Sequence, residues 1–145
     1  MADVIPPFRS DGYLPEGLHV CSEADLTFRF GTQTRKRRRL ILRVRRWIEL
    51  GRSVGALRLA VDGSFVTAKL EPKDVDAVML VPSDFAEQAK SGIESALELE
   101  EMFATRQPEE LFMAEDENDW DSWCDFFAWT REPDGRRKGI VEVKL

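Results

Sequence analysis

The residues best equipped for chemistry lie in one stretch, Asp62-Gly63-Ser64-Phe65-Val66-Thr67-Ala68-Lys69-Leu70-Glu71-Pro72-Lys73-Asp74-Val75-Asp76. An apolar run ends in Gly63-Ser64, a short turn or helix follows, and Asp74-x-Asp76 opens the next apolar run. Alternation along a strand would place Asp74 and Asp76 on one face. Two carboxylates side by side repel unless a cation lies between them, and hard oxygen donors favour Mg²⁺ or Mn²⁺. Gly63 has no Cβ, so the Gly-Ser turn lets backbone N–H groups approach a phosphate closely. A phosphate cradle beside a divalent-cation pair is equipment for phosphoryl or nucleotidyl transfer.

Those residues need two strands and their supports. Ala56–Val61 reads as a buried strand between Gly55 and Asp62-Gly63, and Val75–Val81 as a second, closed by Pro82. Residues 33–50 give the clearest helix: Leu40, Ile41, Val44, Trp47 and Ile48 form one apolar stripe, arginines fill much of the rest, and Gly51 sits where a C-cap glycine belongs. Ser22-Glu23-Ala24-Asp25 resembles a capping box opening a short helix. Ser83 or Asp84 opens a long helix to about Phe103, with Phe85, Ala89, Ile93, Ala96 and Leu97 on its apolar face. Leu111–Met113 is a short strand. Asn118 or Asp119 caps a helix carrying Trp120, Trp123, Phe126 and Phe127, a set spaced for core or interface packing. Gly139–Val143 is a last strand. Strands and helices alternate, so the class is α/β (α+β), a small mixed sheet with flanking helices.

Length and composition fit that plan. The chain has 145 residues, 43% of them hydrophobic, enough for one domain with a real core. Residues 1–21, rich in Pro and Gly, read as an extended N-terminal arm packed on a single domain of residues 22–145. No apolar run approaches the roughly 18 residues a membrane span needs. The first residues lack the basic and apolar regions of a secretory signal. Cys21 and Cys124 lack the spacing of a disulfide framework or zinc site, so a reducing, cytoplasmic setting is the expectation. The single histidine, His19, supports no His-based triad or metal site and reads as a structural residue of the arm.

The net charge of −6 is unevenly spread: +6 over residues 1–58 and −12 over residues 59–145. The run Arg35-Lys36-Arg37-Arg38-Arg39 reads first as a solvated helix face, able also to pair with the acidic segment 109–125. Contact with nucleic-acid phosphates is the less favoured reading. Asp116, Asp119, Asp121 and Asp125 read as surface charges and Lys138 as a solvated lysine.

Gly63-Ser64 followed by Asp74-x-Asp76 resembles the signature of the polymerase-beta-type nucleotidyltransferase superfamily. Over nearly its full length the chain also resembles an uncharacterised bacterial family with a minimal nucleotidyltransferase-like core. The landmarks are Gly12-Tyr13-Leu14-Pro15-Glu16-Gly17-Leu18-His19, Asp62-Gly63-Ser64-Phe65-Val66-Thr67 and Lys138-Gly139-Ile140-Val141. The resemblance implies a nucleotidyltransferase-like fold and metal-dependent transfer of a nucleoside monophosphate from a nucleoside triphosphate to a hydroxyl of a protein, RNA or small molecule. It implies that Asp74 and Asp76 hold Mg²⁺ or Mn²⁺, and that Gly63, Ser64 and Lys69 hold the nucleotide. A third acid on the next strand, Glu110 with Glu109 as rival, would complete the set. The alternative it carries is a catalytically degenerate module that binds nucleotide or a partner protein, as in toxin–antitoxin pairs.

Overall fold

The computed structural model describes residues 5–106 and 110–145. Five strands, β1 (Gly17–Cys21), β2 (Arg58–Asp62), β3 (Asp76–Leu80), β4 (Glu110–Ala114) and β5 (Gly139–Val143), form one mixed sheet in the order β1-β5-β2-β3-β4. β2 runs antiparallel to both β3 and β5, while β1 pairs parallel with β5 and β3 parallel with β4. Five helices flank it: α1 (Glu23–Phe30), α2 (Arg35–Val54), α3 (Phe85–Lys90), α4 (Glu94–Thr105) and α5 (Glu117–Phe127). The expected α+β class, a small mixed sheet with flanking helices, is the observed one. No described helix is long and apolar enough to cross a membrane.

Period-two alternation divides the strand side chains between two cores. Leu59, Val61, Ala77, Met79, Leu111, Val141 and Val143 join the buried faces of α1 to α4. Ala60, Val78, Leu80, Phe112, Ala114 and Ile140 pack with Trp120 and Phe127 of α5. The stripe foreseen on α2 is buried throughout, and the helix is capped by Thr34, whose side chain accepts from Arg37 N. The capping box at Ser22 forms as expected, with Ser22 accepting from Asp25 N.

Four local expectations are corrected. The C-cap of α2 is Gly55, in the left-handed region at φ 77°, and Gly51 is buried inside the helix. The long helix from residue 83 is two, α3 and α4, broken at Ser91–Ile93 with Gly92 at φ 80°. The break rotates the second helix, so Ile93 and Leu97 are exposed and Leu99 is buried beside Ala96. The N-cap of α5 is Asp116, whose side chain accepts from Asp119 N, not Asn118 or Asp119. Phe126 of the aromatic set is exposed while Trp120 and Phe127 are buried.

The N-terminal segment is bound in. Arg29 donates to the carbonyls of Ile5 and Pro6, Leu14 is buried, and Ala68 N donates to Gly12 O. Its last five residues are β1, a strand that no alternation in the sequence signals, held by parallel pairing to β5.

Candidate active site: a carboxylate row at one end of the sheet

Register builds the site. Asp62 at the end of β2 pairs with Asp76 at the start of β3, and Asp76 pairs with Glu110 at the start of β4. Paired residues point to the same face. Three acids therefore stand in a row across three adjacent strands, on the α5 side of the sheet. The 3-10 turn Ser64–Val66 and the loop to Asp74 connect β2 to β3 at that end of the sheet.

Gly63 is at φ 92°, and a Cβ there would lie 3.1 Å from Asp74 O and Val75 Cα. Glycine is needed because the backbone before Asp76 packs directly on the turn. The close approach foreseen for a phosphate is made here by the chain itself. Asp74 precedes the strand and does not share the pleat of Asp76, contrary to the alternation argument. Its Oδ1 accepts from Ser64 N at 2.8 Å and from Ser64 Oγ at 2.6 Å. Ser64 Oγ in turn accepts from the backbone N–H groups of Lys73 and Asp74. Partial burial raises the Asp74 pKa, but the Ser64 donors, aided by Lys138 and Lys69, outweigh it and hold the carboxyl below its ordinary value.

Asp76 is the opposite case. Burial, then the charges of Asp74, Asp62 and Glu110, push its carboxyl up to about 7. Lys138, expected to be solvated, is buried, and its Nζ lies 2.6 Å from Asp62 Oδ1. Burial raises the Asp62 pKa while Lys138 opposes it. Lys138 thus neutralises one end of the row and leaves Asp76 and Glu110 without a contact cation of their own among the described residues.

A second buried cation supports the turn. Arg37, read as part of a solvated face, is buried, and its guanidinium donates to the carbonyls of Phe30, Phe65, Thr67 and Lys69. It fixes the strip of loop following Ser64. The Lys69 side chain is exposed at this edge. Elsewhere in the basic run Arg35, Arg38 and Arg39 are exposed as expected, and Lys36 is half-buried. Further along α2, Arg45, Arg46 and Arg52 pair with Glu23, Glu49 and Glu98 rather than with the acidic segment. Within that segment Glu117 pairs with Arg58 and Asp125 with Arg137.

Residues 6–144 match the model described as Family of unknown function (DUF6932). The chain belongs to this family. No curated protein and no solved structure matches it. The fold of this family member brings Gly63, Ser64, Asp74, Asp76 and Glu110 to one end of the sheet. The rival Glu109 lies outside the described residues. His19 Nε2 lies 2.6 Å from Pro15 O, which ties it to the N-terminal segment and away from the row. Cys124, its thiol pushed up to about 12 mainly by burial, is no nucleophile near neutral pH.

Sequence reasoning missed Asp62 and Lys138 as members of the cluster. The one hint in the sequence is that Asp62 directly follows the apolar run Leu59-Ala60-Val61; the need for Lys138 beside it shows only once the fold places the two together.

A divalent cation fits this donor set in kind. The acids supply hard oxygens and more negative charge than Lys138 balances. Among the described residues, no three His, Cys, Asp or Glu side chains are arranged as a ready cage. Mg²⁺ does not require one: it is commonly held by one or two carboxylates with water and substrate phosphates completing the shell.

Proposed function

We propose that the protein is a nucleotidyltransferase-like enzyme that moves a nucleoside monophosphate from a nucleoside triphosphate to a hydroxyl, using the row at Asp76. The observation that carries the reading is the register Asp62–Asp76–Glu110 with Asp74 seated on the Gly63-Ser64 turn. Asp74 and Asp76 would hold Mg²⁺ or Mn²⁺. Bound there, the cation would neutralise charge developing at the α-phosphate.

The chain's own residues have distinct parts in this scheme. Ser64 N–H and Oγ offer a phosphate the donors that Asp74 now occupies. Lys69, exposed beside them, balances charge on the triphosphate. Glu110, one strand from Asp76, takes the proton of the attacking hydroxyl. A bond forms from that oxygen to the α-phosphorus, the bond to the β-phosphate bridge breaks, and pyrophosphate leaves. Lys138 keeps Asp62 paired, so Asp62 holds position rather than a ligand.

One observation favours the second reading, a module that binds nucleotide or a partner protein without chemistry: Asp74 satisfies the Ser64 donors itself. The two readings separate in one experiment. The protein is incubated with α-phosphate-labelled nucleoside triphosphates, Mn²⁺ or Mg²⁺, and protein and RNA acceptors. The enzyme reading predicts label transfer that falls at least about a hundredfold in Asp76→Asn, about the share that a positioned charge contributes at such a site. Nucleotide binding with no transfer to any acceptor supports the binding module.

A further inference from the structure

Beside Glu110 the sheet edge opens into an aromatic groove of about 550 Å³, lined by Arg106, Glu110, Phe112, Ser122, Trp123 and Phe126. That volume is in the range of small-ligand sites. Phe112 and Trp123 stack, with ring centroids 4.3 Å apart and an interplanar angle of 28°. Phe126 meets Trp123 nearly edge-on, at 78°, so the two rings form a corner. Phe126 is 59% exposed, which leaves that corner open to solvent. The Arg106 guanidinium lies 4.7 Å from the Phe112 ring centroid. Arg106 is also the one described residue other than glycine at positive φ, 57°. That conformation is the left-handed C-cap of α4, where Arg106 N donates to Met102 O.

The groove is continuous with the carboxylate row. Glu110 belongs to both. Phe112 is two residues further along the same face of β4, roughly 7 Å away. A ribose spans that kind of distance between a base and its α-phosphate. Asp119, at the rim away from the row, is an acceptor for ring or exocyclic N–H groups. Its charge would repel phosphate, which places the anionic end of a ligand towards the row and Lys69 and the planar end here.

The geometry points to the Trp123–Phe126 corner as the binding site for the planar, N–H-bearing base of a nucleotide whose phosphates reach the Asp76 row. As an account of the substrate it rests on the proposed nucleotidyl transfer, but base binding is testable without it. Adenosine and guanosine, which carry no phosphate, are titrated into the full chain with Trp123→Phe, Phe126→Ala and Ser122→Trp variants, each checked for an unchanged melting temperature. Binding is read from ligand-observed NMR. In parallel, inorganic triphosphate with Mn²⁺ is titrated into wild type and Asp76→Asn.

The expected result is purine nucleoside binding that weakens roughly tenfold in Phe126→Ala, the scale of a lost stacking contact. It should persist in Trp123→Phe and vanish in Ser122→Trp, which fills the groove. No nucleoside binding to wild type, or equal binding to all four proteins, overturns the proposal. Nucleoside binding at the corner without Asp76-dependent triphosphate binding keeps this site and sinks the transferase reading; the reverse result sinks this site alone.

Discussion

Asp62 and Asp76 face each other directly across the β2–β3 pair, on the same side of the sheet. Like charges in that position destabilise a sheet, and here burial sharpens the conflict. Lys138 reaches Asp62 and resolves only half of it. The frustrated half is Asp76, and that is the physical reason to look there for a cation-binding centre.

Lys138→Met should destabilise the protein by about 3–5 kcal/mol, because it leaves Asp62 buried without its partner. Denaturant unfolding measures this. Adding Asp62→Asn to the same chain should recover much of the loss. A single variant as stable as wild type would mean the pair is solvated.

The pH dependence of Asp76 has a definite sign. Its folded pKa, about 7, stands above the ordinary value of 3.8. Between those values the folded chain keeps a proton that the unfolded chain has lost, so the contribution of Asp76 to stability falls as pH rises from about 4 to 7. Above that window the penalty stays constant. Asp76→Asn should lack this slope. Relative to wild type it should gain up to about 4 kcal/mol between pH 4 and pH 8, a shift of several degrees or more in melting temperature. Parallel stability curves for the two proteins would contradict the clustering of acids around Asp76.

Arg37→Met should cost about 3 kcal/mol or more, since several buried carbonyls lose their donor together. Hydrogen exchange should speed up at Phe65, whose N–H donates to Asp74 O, and at Thr67, whose N–H donates to Ser64 O. Exchange confined to the rest of α2 would show that Arg37 does not hold the turn.

The two glycines of α2 make a paired test of its end. Gly55→Ala, at φ 77° with open space around it, should cost about 1 kcal/mol from backbone conformation alone. Gly51→Ala should be close to neutral: helix propensity favours it by up to about 1 kcal/mol, against a 3.1 Å approach to the flexible Met79 Cε. Chemical denaturation of both variants decides it.

Much of the fold could be read from side-chain periodicity. The α2 stripe, the Ser22 cap and four of the five strands each announce themselves through local patterning. What escaped was decided by tertiary contact. β1 has an exposed, irregular pattern and is a strand because β5 offers it hydrogen bonds. Gly51 and Gly55 are alike in sequence, and only the packing against Met79 and Ala56 shows which is inside the helix. At the candidate site, Gly63, Ser64, Asp74 and Asp76 stood out by spacing. Asp62, Lys138 and Arg37 did not, because a buried charge looks like a surface charge until its partner, 76 residues away for Asp62, is placed. The same holds for the aromatic corner: helical spacing put Trp123 and Phe126 on one helix but could not show that Phe126 is left uncovered beside Glu110.

The most direct measurement is calorimetric titration of nucleoside triphosphate with Mn²⁺ or Mg²⁺ into wild type and Asp76→Asn at pH 7.5. The account predicts metal-dependent binding to wild type, weakened at least about tenfold in the variant while its fold is retained. Binding that is indifferent to the metal or to Asp76, or no binding of any nucleoside triphosphate, would contradict it.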